Sequence, residues 1–229
     1  MSEPGFIQYD GPNHLLAQLK SGDIRPNEKA PLVRGDDKVW ARSIHVAVLE
    51  NMLWSDDGTE FEQFKDCMEA LLELKLFDEH MSLNDSARLF ADSIWLDDRE
   101  YVCDLMRRFI ELDFLKVNEI IPGELDSQDC ERSVYGMKPL AAAIFLGHPD
   151  AVRILDAAGA SWNLGPVIRD GQPRMAVEFA QECSGLVYGA PEVFAYFTEK
   201  LMTQRIDAIL PGPADDSNDT PRPGRRARL

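Results

Sequence analysis

Between residues 39 and 201, apolar positions recur at the i, i+3, i+4, i+7 spacing that gathers them on one face of an α-helix, and turn-forming residues interrupt the pattern at regular intervals. Phe61, Phe64, Cys67, Met68, Leu71 and Leu72 make the first such face, and Val102, Leu105, Met106, Phe109 and Ile110 the second. Ala151, Val152, Ile154 and Leu155 make the third, and Val193, Phe194, Phe197 and Leu201 the fourth. A shorter, more apolar segment precedes each face, over 39–53, 83–94, 137–146 and 175–182. The alternation predicts an all-α chain of about four helix-turn-helix pairs.

The turns inside the pairs resemble one another. Trp54-Ser55-Asp56-Asp57-Gly58-Thr59-Glu60-Phe61 and Trp95-Leu96-Asp97-Asp98-Arg99-Glu100-Tyr101 both set an aromatic residue before an Asp-Asp turn and a glutamate at the next helix start. Phe145 to Val152 and Tyr188 to Val193 are looser copies, and the leading aromatics lie 41, 50 and 43 residues apart. A fixed period of that order is the signature of a stacked helical array. An aspartate before a helix accepts free N–H bonds, and an acid in the first turn meets the positive end of the helix dipole. Capping therefore accounts for Asp56, Asp57, Asp97 and Asp98, as packing does for Trp54 and Trp95. The same six residues, at the tips of successive pairs, are candidates for partner contact.

The third pair carries more detail. Lys138-Pro139-Leu140-Ala141-Ala142-Ala143, then Gly147-His148-Pro149-Asp150-Ala151-Val152-Arg153-Ile154-Leu155, then Gly159-Ala160-Ser161-Trp162-Asn163, resembles an ankyrin repeat almost end to end. Pro139 suits a first helical position, the small alanines allow close helix packing, Gly147 suits a turn, and Gly159 suits a left-handed helix stop. The family's Thr-Pro-Leu-His motif has Lys138 in place of Thr and Ala141 in place of His. Ser43-Ile44-His45-Val46-Ala47 echoes the first-helix motif, and 112–118 takes the place of 159–163 without the glycine. His14 to Asp23 looks like a lone second helix with its glycine stop, a capping element. The resemblance implies a solenoid: a capping segment over 1–36, an ankyrin-like helical domain over 37–209 and a tail over 210–229. The longer period leaves a HEAT-like helical array as the structural alternative.

Composition and charge narrow the function. The 229 residues carry 24 Lys and Arg against 40 Asp and Glu, a net charge of −16 that disfavours gripping nucleic-acid phosphates. The tail is rich in breakers and holds Arg222, Arg225, Arg226 and Arg228, so the acidity belongs to the body. No apolar run approaches the roughly 20 residues of a membrane span, and the first residues lack the charge and apolar core of a secretory signal, so a cytoplasmic location is expected. Cys67, Cys103, Cys130 and Cys183 have neither zinc-site nor disulfide spacing and read as buried thiols. No nucleotide loop, zinc motif or nucleophile elbow occurs. His45 and His148 read as packing or turn residues, and His14 and His80 have no metal-spaced partner. No catalytic residue, metal or cofactor is expected.

What remains is a protein-binding module, since stacked helix pairs expose an extended surface suited to a macromolecule. Ankyrin-like proteins are, by the resemblance, mostly protein binders. An acidic surface speeds encounter with a basic protein and repels nucleic acid and anionic membranes. The long insertion Pro122 to Arg132 carries Glu124, Asp126, Asp129 and Glu131 and is the leading candidate for partner contact. The most concrete expectation is an acidic inhibitor of a basic protein, such as an immunity protein against a bacterial toxin. The alternative is an ankyrin-like scaffold or adaptor.

Overall fold

The computed structural model describes residues 11–23, 29–34, 38–55, 58–74, 89–90, 93–94, 96, 98–121, 134, 136–167, 171–186 and 190–209. Among them the chain is mostly helical. The helices are α1 (Pro12–Ser21), α2 (Ile44–Trp54), α3 (Gly58–Glu73), α4 (Arg99–Glu111), α5 (Pro139–Phe145), α6 (Pro149–Ala157), α7 (Ala176–Cys183) and α8 (Pro191–Ile209). Of the segment 83–94, residues 89–90 and 93–94 are helical and the others lie outside the described residues.

Two antiparallel hairpins correct the expectation of an all-α chain: β1 (Lys29–Arg34) with β2 (Lys38–Ser43), and β3 (Asn163–Pro166) with β4 (Pro173–Met175). The apolar run that starts at Val39 is thus split. Val39 and Trp40 pair with Val33 and Leu32, and the helix begins only at Ile44. β-branched and aromatic residues accept an extended backbone when a cross-strand neighbour is present, and helical periodicity does not reveal that neighbour. The hairpin joins residues on either side of position 36.

The helix ends follow local chemistry. α1 stops at Gly22, whose φ of 77° is left-handed, and Asp23 N–H reaches back to Gln18 O at 3.2 Å. This is the glycine stop that the capping element predicts. At the end of α6, Gly159 has φ 86° and Ala160 N–H bonds Leu155 O. α4 ends the same way with a different residue: Phe114 N–H bonds Phe109 O, and Asp113 takes the left-handed position with φ 62°. It is the one non-glycine with positive φ among the described residues.

Packing orders these elements. α2 lies on α3, α5 on α6, and α7 on α8; between pairs, α5 meets α7, α4 meets α6, α6 meets α8, and α1 meets α3. Phe90, Phe109, Phe197, Leu49, Met68, Leu105 and Met106 are fully buried along this line. α5 buries all seven of its residues, as its Pro-Leu-Ala-Ala-Ala-Ile-Phe sequence requires.

Two of the three described helices that lead a pair, α2 and α7, are entered directly from a hairpin strand. β1 and β2 run directly into α2. Ile121 N–H bonds Met137 O at 2.8 Å and Gly136 N–H bonds Ile121 O at 2.6 Å just ahead of α5. Ala176 N–H bonds Trp162 O at 2.8 Å where β4 becomes α7.

Candidate interaction surface

Of the residues that the sequence singles out for partner contact, Asp98 is the one whose side chain can be described. Asp56, Asp57, Trp95, Asp97, Glu124, Asp126, Asp129 and Glu131 lie outside the described residues, and Trp54 is placed only by its backbone, as the last residue of α2. Asp98 is the N-cap of α4. Its Oδ1 accepts the Tyr101 N–H at 3.1 Å, and its Oδ2 lies 3.6 Å from Lys65 Nζ on α3.

Lys65 belongs to a polar seam between α3 and α4. It stands 4.7 Å from the centre of the Tyr101 ring, whose hydroxyl donates to Glu69 Oε1 at 3.4 Å. Arg108 donates to Glu69 Oε2 at 2.5 Å. Burial raises the Tyr101 pKa, and the adjacent Glu69 charge adds to that shift. Burial works against the Arg108 charge, but the bond to Glu69 more than offsets it and the pKa rises. The seam holds a neutral phenol and a firmly cationic guanidinium.

A second seam joins α6 to α8 and centres on Asp156, whose side chain is only 8% exposed. This carboxylate accepts from Trp162 Nε1 at 2.8 Å, from the Tyr196 hydroxyl at 2.5 Å and from Lys200 Nζ. Trp162 also meets Phe197 edge-on at 5.2 Å. Burial alone would raise the Asp156 pKa; the three donors reverse the sign and hold it below the usual carboxylate range. Sequence reading passes over Asp156, Tyr196 and Lys200. The i, i+4 placement of Tyr196 and Lys200 is the one local sign that they act together.

The loops that join successive pairs form a third seam. Asn118 Nδ2 donates to Gly159 O at 3.2 Å, and its Oδ1 accepts the Ser161 N–H at 2.7 Å. Lys138 Nζ donates to Asn163 O at 2.8 Å. Ile120, 56% exposed, and Met175, 43% exposed, lie along this edge. Among the described residues α5 is buried on every side and Ile44 to Glu50 of α2 are buried as well, whereas the loop edge and the outer helices carry exposed positions.

The remaining candidates for chemistry are interior. His148 Nδ1 accepts the Ala151 N–H at 3.1 Å and caps α6, and burial lowers its pKa. His45 is 3% exposed, and burial pushes its pKa down to about 3. Cys67, Cys103 and Cys183 are buried free thiols, and burial pushes Cys67 up to about 12. Cys130 and His80 lie outside the described residues. Among the described residues no three His, Cys, Asp or Glu side chains converge as a metal site, and no helix is long and apolar enough to cross a membrane.

Comparison with known proteins returns no match to this chain among family models, curated proteins or solved structures.

Proposed function

We propose that this protein is a non-enzymatic binding module, an ankyrin-like stack of helix pairs that captures a basic protein and neutralises it. The observation that carries the reading is the recurrence of a leading helix and a second helix, entered from a hairpin at α2 and at α7, with second helices in contact as α1 with α3, α4 with α6 and α6 with α8. An ankyrin unit is a β-turn followed by two helices, whereas HEAT pairs join helix to helix without strands. The bonds of Asn118 to Gly159 and Ser161 tie two successive loops into one continuous edge. Such an edge suits a macromolecule, and a net charge of −16 selects one of opposite sign. An immunity protein that blocks a nuclease-type toxin combines these traits, because a protein that binds phosphate is itself basic.

The test is affinity capture with the full chain as bait, washed at low and high salt. The expected result is one basic protein in stoichiometric amount, released by salt and inactive while bound. Reversing Glu124, Asp126, Asp129 and Glu131 to Lys is expected to weaken capture sharply; unchanged capture removes that loop from the interface. Retention of a neutral assembly whose activity persists replaces the inhibitor with the adaptor.

A further inference from the structure

The ring of His148 is held in one protonation state by what surrounds it. It is 7% exposed and stands in the turn between α5 and α6, after Gly147 with φ 63°. Its backbone is fixed on both sides: the His148 N–H donates to Ala143 O at 3.0 Å, and His148 O accepts the Val152 N–H at 3.1 Å. From this anchored position Nδ1 accepts the Ala151 N–H at 3.1 Å and caps α6. A ring nitrogen that accepts a hydrogen bond carries no proton, so the neutral ring has its hydrogen on Nε2. Nε2 is buried, and no group among the described residues bonds to it.

A second proton has one place to go. It adds to Nδ1, the atom that the Ala151 N–H already approaches, and two donors cannot share that bond. The cation would also sit at the N-terminal end of α6, where the helix dipole opposes positive charge. Burial opposes it, and so does the Arg99 charge on α4, the helix packed against α6. Asp150 favours it, but that carboxylate already accepts from Arg153 at 2.6 Å. The Cys103 thiol of α4 is kept neutral by burial. α5 is apolar throughout, and Lys200 of α8 is taken by Asp156 near the other end of α6.

We infer that His148 is a proton-operated release for α6: one proton taken up on Nδ1 breaks the cap, adds a cation within reach of the Arg99 charge, and loosens the junction of α4 with α6 while the rest of the chain stays folded. The cap is complete at neutral pH and is lost as pH falls below about 6.5, the ordinary range of a histidine. The event is local and requires no global unfolding. It does not depend on what the protein binds.

The experiment follows the full chain by NMR between about pH 7.5 and about pH 4, a range that brackets histidine titration. Imidazole nitrogen shifts are expected to show the Nε2–H tautomer at the upper end and protonation of Nδ1 on acidification. In step with that, the exchange protection of the Ala151 amide is expected to fall by about fivefold, as loss of a cap implies, with protection in α3 unchanged. His148→Asn, which supplies a capping oxygen that does not titrate, is expected to hold Ala151 protection constant across the range. His148→Ala is expected to show the weakened protection at both ends. An Nδ1–H tautomer at neutral pH, a ring that stays neutral throughout, titration without change at Ala151, simultaneous loss of protection in α3, or an equal fall in His148→Asn would overturn the inference. The native chain alone supplies the first four of these readings, so the test stays decisive even if neither variant folds.

Discussion

Asp113 and Gly159 occupy equivalent left-handed positions after α4 and α6, with φ values of 62° and 86°. A side chain at such a position costs roughly 1 kcal/mol relative to glycine. Nothing lies within 4 Å of a Cβ built on Gly159, so the cost of Gly159→Ala is purely conformational. Urea denaturation is expected to show Gly159→Ala destabilised by about 1 kcal/mol and Asp113→Gly stabilised by up to about the same amount. Removing the cap with Asp98→Ala is expected to cost about 1 kcal/mol.

His45 and His148 each make stability depend on pH. Burial lowers both folded pKa values below that of the unfolded chain, so the unfolded chain binds more protons across the interval. Stability is complete above about pH 6.5, the unfolded value for histidine, and falls as pH drops towards the folded values. For His45 the interval reaches down to about pH 3, with a slope of at most about 1.4 kcal/mol per pH unit. Asp156 loses its contribution in the same direction but at lower pH, as its carboxylate protonates. Thermal melts of His45→Gln are expected to shift less between pH 7 and about pH 4 than those of the native chain; equal slopes would mean that His45 carries no part of the effect.

At the level of elements, the helices are legible and the strands are not. α3 and α4 follow from one apolar face each, because i, i+3, i+4 periodicity is local and both helices span several turns. β3 is Asn-Leu-Gly-Pro, with two residues that weaken a strand, and it forms because Asn163 meets Met175 across the pair. The Asp156 seam is illegible for a similar reason, since its carboxylate is 40 and 44 residues from Tyr196 and Lys200. Asp98 shows the converse: capping is a neighbour effect and the sequence states it. For α5, close alanine packing makes bulk intolerable. Ala142, fully buried, is expected to lose about 1 to 3 kcal/mol on substitution by Met, read as a lower melting temperature.

Across the whole molecule, the Asn118, Glu69 and Asp156 seams join elements distant in sequence, and the buried apolar residues from Leu15 to Phe197 make one cluster. In the stacked array proposed above, stability is a sum of units and nearest-neighbour interfaces. Amide hydrogen exchange is expected to be slowest in α5 and α6 and fastest in the last turns of α8, where Met202 and Ile206 are exposed. Uniform protection along the chain would instead indicate one cooperative block. Asp156→Ala is expected to speed exchange throughout α8 and leave α3 unchanged.

The burial of α5 also sets an order of events during synthesis. Seven residues are too few for a helix to persist alone in water, and this one offers solvent no polar side chain. Its supports, α6 and α7, are encoded after it, the second ending at Cys183. A ribosome therefore releases an oily segment before α6 and α7 exist to shelter it, and that interval is when a chaperone has reason to bind.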